Sequence, residues 1–128
     1  MNFSGKILLV DDEAHIRKYV SLILKQLGVT SLLEAGNGEE ALALYQRERP
    51  DLVLLDVNMP IMDGLETLRR LRALDPESIV IMLTSLANRQ TIEEAASLGA
   101  ANYIRKDTPK EEIAKALTET IDACFGAE

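Results

Sequence analysis

Three short aliphatic runs, residues 7–10, 52–55 and 79–83, are apolar at every position. That pattern restricts the chain more than any other feature. A strand with one wet face alternates apolar and polar residues. A strand that is apolar throughout is buried on both faces, which is the mark of a parallel sheet covered by helices on either side. All three runs fall far short of the roughly 20 apolar residues a membrane span needs.

Helical stripes separate the runs. Ile16, Val20, Ile23, Leu24 and Leu27 recur at three- and four-residue spacing, and Gly28 is a natural stop. Residues 31–35 form a weaker strand. Asn37 can cap the next helix, with Glu40 three residues on and Ala41, Leu44 and Tyr45 on its buried face. A turn with Pro60 and Gly64 precedes a helix that points Leu65, Leu68 and Leu71 inward. A fourth helix carries Ile92, Ala95, Ala96 and Leu98 and closes at Gly99. A last strand spans residues 101–105. Thr108-Pro109-Lys110-Glu111 reads as a capping box with proline at the first helical position, ahead of a stripe of Ile113, Leu117 and Ile121.

The pattern is an α/β (βα)₅ chain. Right-handed crossovers leave few topologies. The doubly wound, flavodoxin-like order 2-1-3-4-5 puts the weakest strand, residues 31–35, at an edge, with helices on both faces. The 128 residues read as one domain with no linker or repeat. Such a chain buries about two-thirds of its unfolded surface and needs no disulfide. Cys124 stands alone. The formal charge of −7, from 14 basic and 21 acidic residues, argues against nucleic acid and against an anionic membrane surface. No apolar leader precedes the first run, and a cytoplasmic protein is expected.

Four strands end in polar residues: the first in Asp11-Asp12, the third in Asp56, the fourth in Thr84 and the fifth in Lys106. In a parallel sheet all carboxyl ends share one edge, where ligands bind. Strands 1 and 3 are neighbours in the expected order, so the three aspartates should converge, flanked by Thr84 and Lys106. Three carboxylates about 5 Å apart repel by roughly 3 kcal/mol per pair at an effective dielectric near 20. Lys106 offsets part of this. A cation or raised pKa values must offset the rest. The ligands are all oxygens, so Mg²⁺ fits best and zinc poorly. An aspartate can act as a nucleophile and form an acyl phosphate. Metal, lysine and hydroxyl can neutralise the transferring oxygens. Gly36-Asn37-Gly38 follows the wrong strand for a dinucleotide fingerprint and reads as a turn, which disfavours a nucleotide enzyme.

With these residues in view, the chain resembles the receiver domain of two-component response regulators along its whole length, residues 1–128. The likeness rests on Leu8-Leu9-Val10-Asp11-Asp12-Glu13, on Leu54-Leu55-Asp56-Val57-Asn58-Met59-Pro60 with Asp63-Gly64, on Thr84-Ser85, and on Gly99-Ala100 before Tyr103 and Lys106. The resemblance implies a CheY-like phosphoacceptor. Asp56 would take a phosphoryl group from a histidine kinase or phosphotransfer protein. Asp12 and Asp56 would bind Mg²⁺ directly, Asp11 through water, and the Asn58 carbonyl would complete the protein ligands. Thr84 and Lys106 would contact the phosphoryl oxygens. Thr84 and Tyr103 would act as the switch, repacking the surface of the fourth helix, fifth strand and fifth helix for an effector. A monomer or a phosphorylation-dependent dimer is expected, and no enzyme beyond self-phosphorylation and autohydrolysis.

Two rivals remain. The chain could be a receiver cut from a larger regulator with a DNA-binding or enzymatic output domain. An aspartate-nucleophile phosphatase or phosphotransferase would need a substrate cap or a second acid-base aspartate shortly after the nucleophile, and Asn58, two residues past Asp56, counts against it.

Two positions near the site stand apart. The family commonly has a cis proline after the lysine. Here Asp107 follows, and a cis bond before it would cost about 2.5–4 kcal/mol. Either a trans bond with an altered loop or a retained cis bond is expected. Leu86, two past Thr84, cannot orient an attacking water but can shield an acyl phosphate. His15 reads as exposed on the first helix, which the resemblance makes part of a docking surface. Arg69, Arg70 and Arg72 read as a solvated helix face, and Met59 and Met62 as loop residues beside the site.

Overall fold

The computed structural model describes residues 3–126. Five strands and five helices alternate: β1 Lys6–Val10, α1 Ala14–Gln26, β2 Ser31–Ala35, α2 Gly38–Glu48, β3 Leu52–Leu55, α3 Gly64–Leu74, β4 Val80–Thr84, α4 Arg89–Ser97, β5 Asn102–Arg105 and α5 Lys110–Phe125. All strand pairs are parallel, in the order β2-β1-β3-β4-β5. The expected order therefore holds, with β2 at an edge.

Strand side chains alternate between two cores. Ile7, Leu9, Leu52, Leu54, Ile81 and Leu83 face α1 and α5, where Val20, Ile23, Leu24, Ile113, Leu117 and Ile121 complete one layer. Leu8, Val10, Val53, Leu55, Val80 and Met82 face α2, α3 and α4, against Ala41, Tyr45, Leu68, Leu71 and Ala95. Both faces of the sheet are dry, which is why the central strands carry no polar alternation.

Of the two caps expected from the sequence, the one at α2 forms. The Asn37 side chain accepts from the Glu40 N–H at 2.8 Å, and Glu40 reaches back to accept from the Gly36 N–H at 2.5 Å. Asp63 caps α3 through the Glu66 N–H at 2.9 Å. Asn88 caps α4 through the Thr91 N–H.

The box expected at α5 does not form. Pro109 is the N-cap rather than the first helical residue, and it offers no side-chain acceptor. Its carbonyl takes the Glu112 and Ile113 N–H groups instead. In α4 only Thr91 and Ala95 are buried. Ile92 is 38% exposed and Ala96 faces solvent. The helix is short, and its inward face holds small residues against the sheet.

Arg69 and Arg70 lie on the solvated face as expected, paired with Glu66 and, for Arg69, with Glu94 of α4. Arg72 does not. It is half-buried, donates to the Ser78 carbonyl at 2.6 Å and packs beside Gly99, tying the α3–β4 turn to the end of α4. His15 and Cys124 are exposed. No helix among the described residues is long and apolar enough to cross a membrane.

Candidate functional site

Strand register builds the site. Val10 is paired with Leu55, so the residues that follow them, Asp11 and Asp56, emerge side by side. Backbone bonds continue past the strands. The Asp11 N–H donates to Ala35 and the Asp56 N–H to Val10, at 3.1 and 3.0 Å. On the other flank Thr84 pairs with Arg105, and the Lys106 N–H donates to the Thr84 carbonyl at 3.0 Å. Four segments distant in sequence thus deliver their side chains to one edge.

Asp11, Asp12 and Asp56 each offer a carboxylate oxygen, and these lie within 4.8 Å of one another. Asp11 and Asp56 are buried, at 2% and 3% exposure, while Asp12 is open to solvent. Each buried carboxylate uses its two oxygens differently. Oδ1 accepts a backbone N–H: Glu13 on Asp11 at 2.9 Å, Val57 on Asp56 at 2.8 Å. Oδ2 faces the shared ammonium of Lys106, at 2.6 Å from Asp11 and 3.1 Å from Asp56. Asp12 and the Asn58 carbonyl have no hydrogen-bond partner among the described residues. The donor set is all oxygen, partly open and net negative. It suits a hard divalent cation that keeps several waters.

Electrostatics agree with the geometry. Burial holds the Asp56 carboxyl above the ordinary aspartate range, and the Asp11 charge adds to the rise; the Thr84 hydroxyl and Lys106 counter it. Burial works to lower the Lys106 ammonium, but its bond to Asp11 and the charges of both aspartates outweigh that and leave it raised.

A group whose folded pKa is raised contributes stability at low pH that is lost as pH rises through the folded value. In metal-free protein, Asp56 should therefore lower stability as pH rises above 3.8, its ordinary value. Glu48, Glu66 and Asp75, whose pKa values are lowered by their partners, act in the opposite sense. The contrast that isolates Asp56 is wild type against Asp56→Asn, by urea unfolding in chelator. The stability gap between the two should widen in favour of Asp56→Asn as pH rises. A constant gap would contradict a raised Asp56.

The β4–α4 segment couples the site to β5. The Leu86 N–H donates to Thr84 Oγ1 at 3.2 Å, and the Tyr103 hydroxyl donates to the Leu86 carbonyl. Leu86 and Tyr103 are half-buried, both against the core that holds Val57 and Met82. Met59 is half-buried and Met62 buried, both in the loop between β3 and α3, and Met62 packs beside Gly38 at the start of α2. All peptide bonds of the described residues are trans, so of the two expectations for Lys106–Asp107 the trans bond holds.

Sequence reasoning missed Arg17. Its Nη1 donates to the Asp11 carbonyl at 2.5 Å while Nε pairs with Glu34 at 2.9 Å, fixing the peptide that carries Asp12. Arg17 sits on the polar side of the α1 stripe, and only the β1–β2 neighbourhood shows what it reaches.

A doubly wound parallel sheet, with an acidic pocket and a lysine where its strands end, defines the CheY-like class of signalling domains. The chain belongs to the response regulator receiver domain family, whose model matches residues 7–118. It is 37% identical over 112 residues to the chemotaxis protein CheY of Listeria monocytogenes, covering 88% of this chain and 94% of that one. It is 38% identical over 112 residues to sporulation initiation phosphotransferase F of Bacillus subtilis, covering 88% of this chain and 90% of the relative. A chain of the CheX–CheY–BeF₃–Mg²⁺ complex from Borrelia burgdorferi superposes with a TM-score of 0.85 at 27% identity, over 95% of this chain and 90% of that one. The family works in two-component phosphorelay signalling. Receiver domains bind Mg²⁺ at such a pocket, and the aspartate cluster here could hold one.

Proposed function

We propose that residues 1–128 form a receiver domain whose Asp56 accepts a phosphoryl group from a phosphohistidine in a Mg²⁺-dependent reaction, in the cytoplasm. The convergence of Asp11, Asp12, Asp56 and Lys106 carries this reading. An Asp56 carboxylate oxygen attacks phosphorus, the phosphorus–nitrogen bond to the donor imidazole breaks, and the imidazole leaves as it takes up a proton from solvent. Asp12, Asp56 and the Asn58 carbonyl would hold the metal, and Asp11 would support it through a bound water. When bound, Mg²⁺ supplies positive charge to the transferring oxygens. Lys106 shares that role, and the Thr84 hydroxyl donates to one oxygen. The Borrelia relative, solved together with BeF₃ and Mg²⁺, supports this chemistry.

Phosphorylation adds a dianion beside Thr84. Thr84 is already joined through Leu86 to Tyr103. A shift of Thr84 therefore reaches Tyr103 and the α4-β5-α5 face, where an effector would bind. The donor would be a sensor kinase or phosphotransfer protein, and the sporulation phosphotransferase relative supports a relay role. The protein acts as a monomer or a phosphorylation-dependent dimer.

Acetyl phosphate with Mg²⁺ should raise the intact mass by one phosphoryl group, and Asp56→Asn should not label. Labelling of that variant, or labelling in chelator, would overturn the assignment. A second expectation concerns lifetime. Half-buried Leu86 offers no hydrogen bond to an attacking water. Leu86→Glu should hydrolyse its acyl phosphate faster, and equal decay rates would refute a shielding role for Leu86.

A further inference from the structure

Lys106 is the only cation among the described residues that reaches the pocket carboxylates, yet the segment that aims it is thinly held. The Lys106 N–H is anchored on Thr84. Beyond it, the turn over residues 105–108 is closed by one backbone bond, from the Thr108 N–H to the Arg105 carbonyl at 3.2 Å. Pro109 has no N–H and provides no side-chain cap. Among the described residues, a single side-chain bond involves residues 107–109: Asp107 Oδ2 accepts from Arg105 Nη2 at 2.7 Å. Arg105 and Asp107 project to solvent, their side chains 56% and 63% exposed, while Lys106 between them turns inward and is 11% exposed. The ion pair therefore bridges the outer side of the turn whose inner side delivers the ammonium.

We infer that Arg105 and Asp107 are positioning residues for phosphoryl acceptance: their ion pair braces the turn that holds the Lys106 ammonium on Asp11 and Asp56. The inference rests on the phosphoacceptor reading above. It deepens that reading, because neither residue touches the pocket carboxylates. An exposed pair is weak and screened by salt, so the brace is adjustable by ionic strength.

A brace and a simple charge effect make opposite predictions. If the two residues acted only through their charges, Arg105→Ala and Asp107→Ala would shift the labelling rate in opposite directions. A brace requires both to slow it. The experiment measures the rate of labelling by acetyl phosphate at saturating Mg²⁺, at low and high potassium chloride. Wild type should slow with salt. Each alanine variant should label about two- to fivefold more slowly at low salt, the scale of an exposed ion pair. Each should lose most of that salt dependence while keeping the wild-type unfolding midpoint. The double swap Arg105→Asp/Asp107→Arg should recover most of the rate. Opposite shifts for the two alanine variants, unchanged rates, or a swap no faster than the single variants would each overturn the brace. Failure of wild type itself to label would instead defeat the phosphoacceptor reading, so the two failures are distinct.

Discussion

Replacing Gly64 by alanine is expected to destabilise the protein by about 3 kcal/mol, at the upper end of what overpacking costs. A Cβ at Gly64 would lie 1.9 Å from the Asp56 carbonyl oxygen and 2.8 Å from Val57 Cα. Both are backbone atoms and cannot swing aside. The Gly64 N–H also donates to the Val57 carbonyl at 2.8 Å, so the turn is pinned where the clash falls. Urea unfolding should show the loss, and labelling of Asp56 should fall with it, because the displaced atoms belong to the acceptor's own peptide. Gly28 is the control. Its φ is +99°, but a Cβ there meets nothing within 4 Å. Gly28→Ala should cost only the backbone strain, about 1 kcal/mol, and leave labelling intact. Equal effects at the two glycines would mean that the close approach at Gly64 is not what matters.

Removing the ammonium should produce the second large effect. In Lys106→Ala, Asp11 and Asp56 remain buried with no counter-charge. Breaking a buried ion pair from one side costs about 3–5 kcal/mol. The loss should appear in full in chelator. Saturating Mg²⁺ should narrow it, since the metal supplies the missing charge. Lysine and metal draw on the same carboxylates, so Mg²⁺ should bind Lys106→Ala more tightly than wild type by titration calorimetry. Phosphoryl acceptance should nevertheless fall, because the ammonium also faces the incoming oxygens. Weaker Mg²⁺ binding in the variant would show that Lys106 organises the carboxylates rather than competing with the ion.

The parts legible in the sequence were those set by periodicity and strand order. β3 was read residue for residue, because four apolar positions between Asp51 and Asp56 admit one buried strand. The pocket was legible for the same reason: parallel strands carry their final residues to one edge whatever lies between them. What sequence reading missed depends on reach across space. Thr108 looked like a cap, but the chain enters α5 with Pro109 extended, at φ −54° and ψ 145°, and the hydroxyl makes no cap. Arg72 was grouped with Arg69 and Arg70 by proximity in sequence. The α3–β4 turn gives it a carbonyl that its neighbours lack. Tyr103 was expected as a switch, but its bond to the Leu86 carbonyl joins segments 17 residues apart and has no local signature.

The dispersal of the pocket over the ends of β1, β3, β4 and β5 has a consequence for how this chain matures. No fragment or early hairpin can assemble the three carboxylates and the ammonium, because Lys106 reaches Asp11 across 95 residues and Asp56 across 50. Such long loops close late, since their entropy is lost before distant contacts can repay it. Competence to take a phosphoryl group should therefore be the last property to return during refolding. It should lag helix formation seen by circular dichroism. Pulse labelling with acetyl phosphate would then act as a stopwatch for docking of β5, counting only chains in which β1, β3, β4 and β5 are assembled. A partly folded chain would be chemically silent, and the signalling network would be protected from premature messages by topology alone.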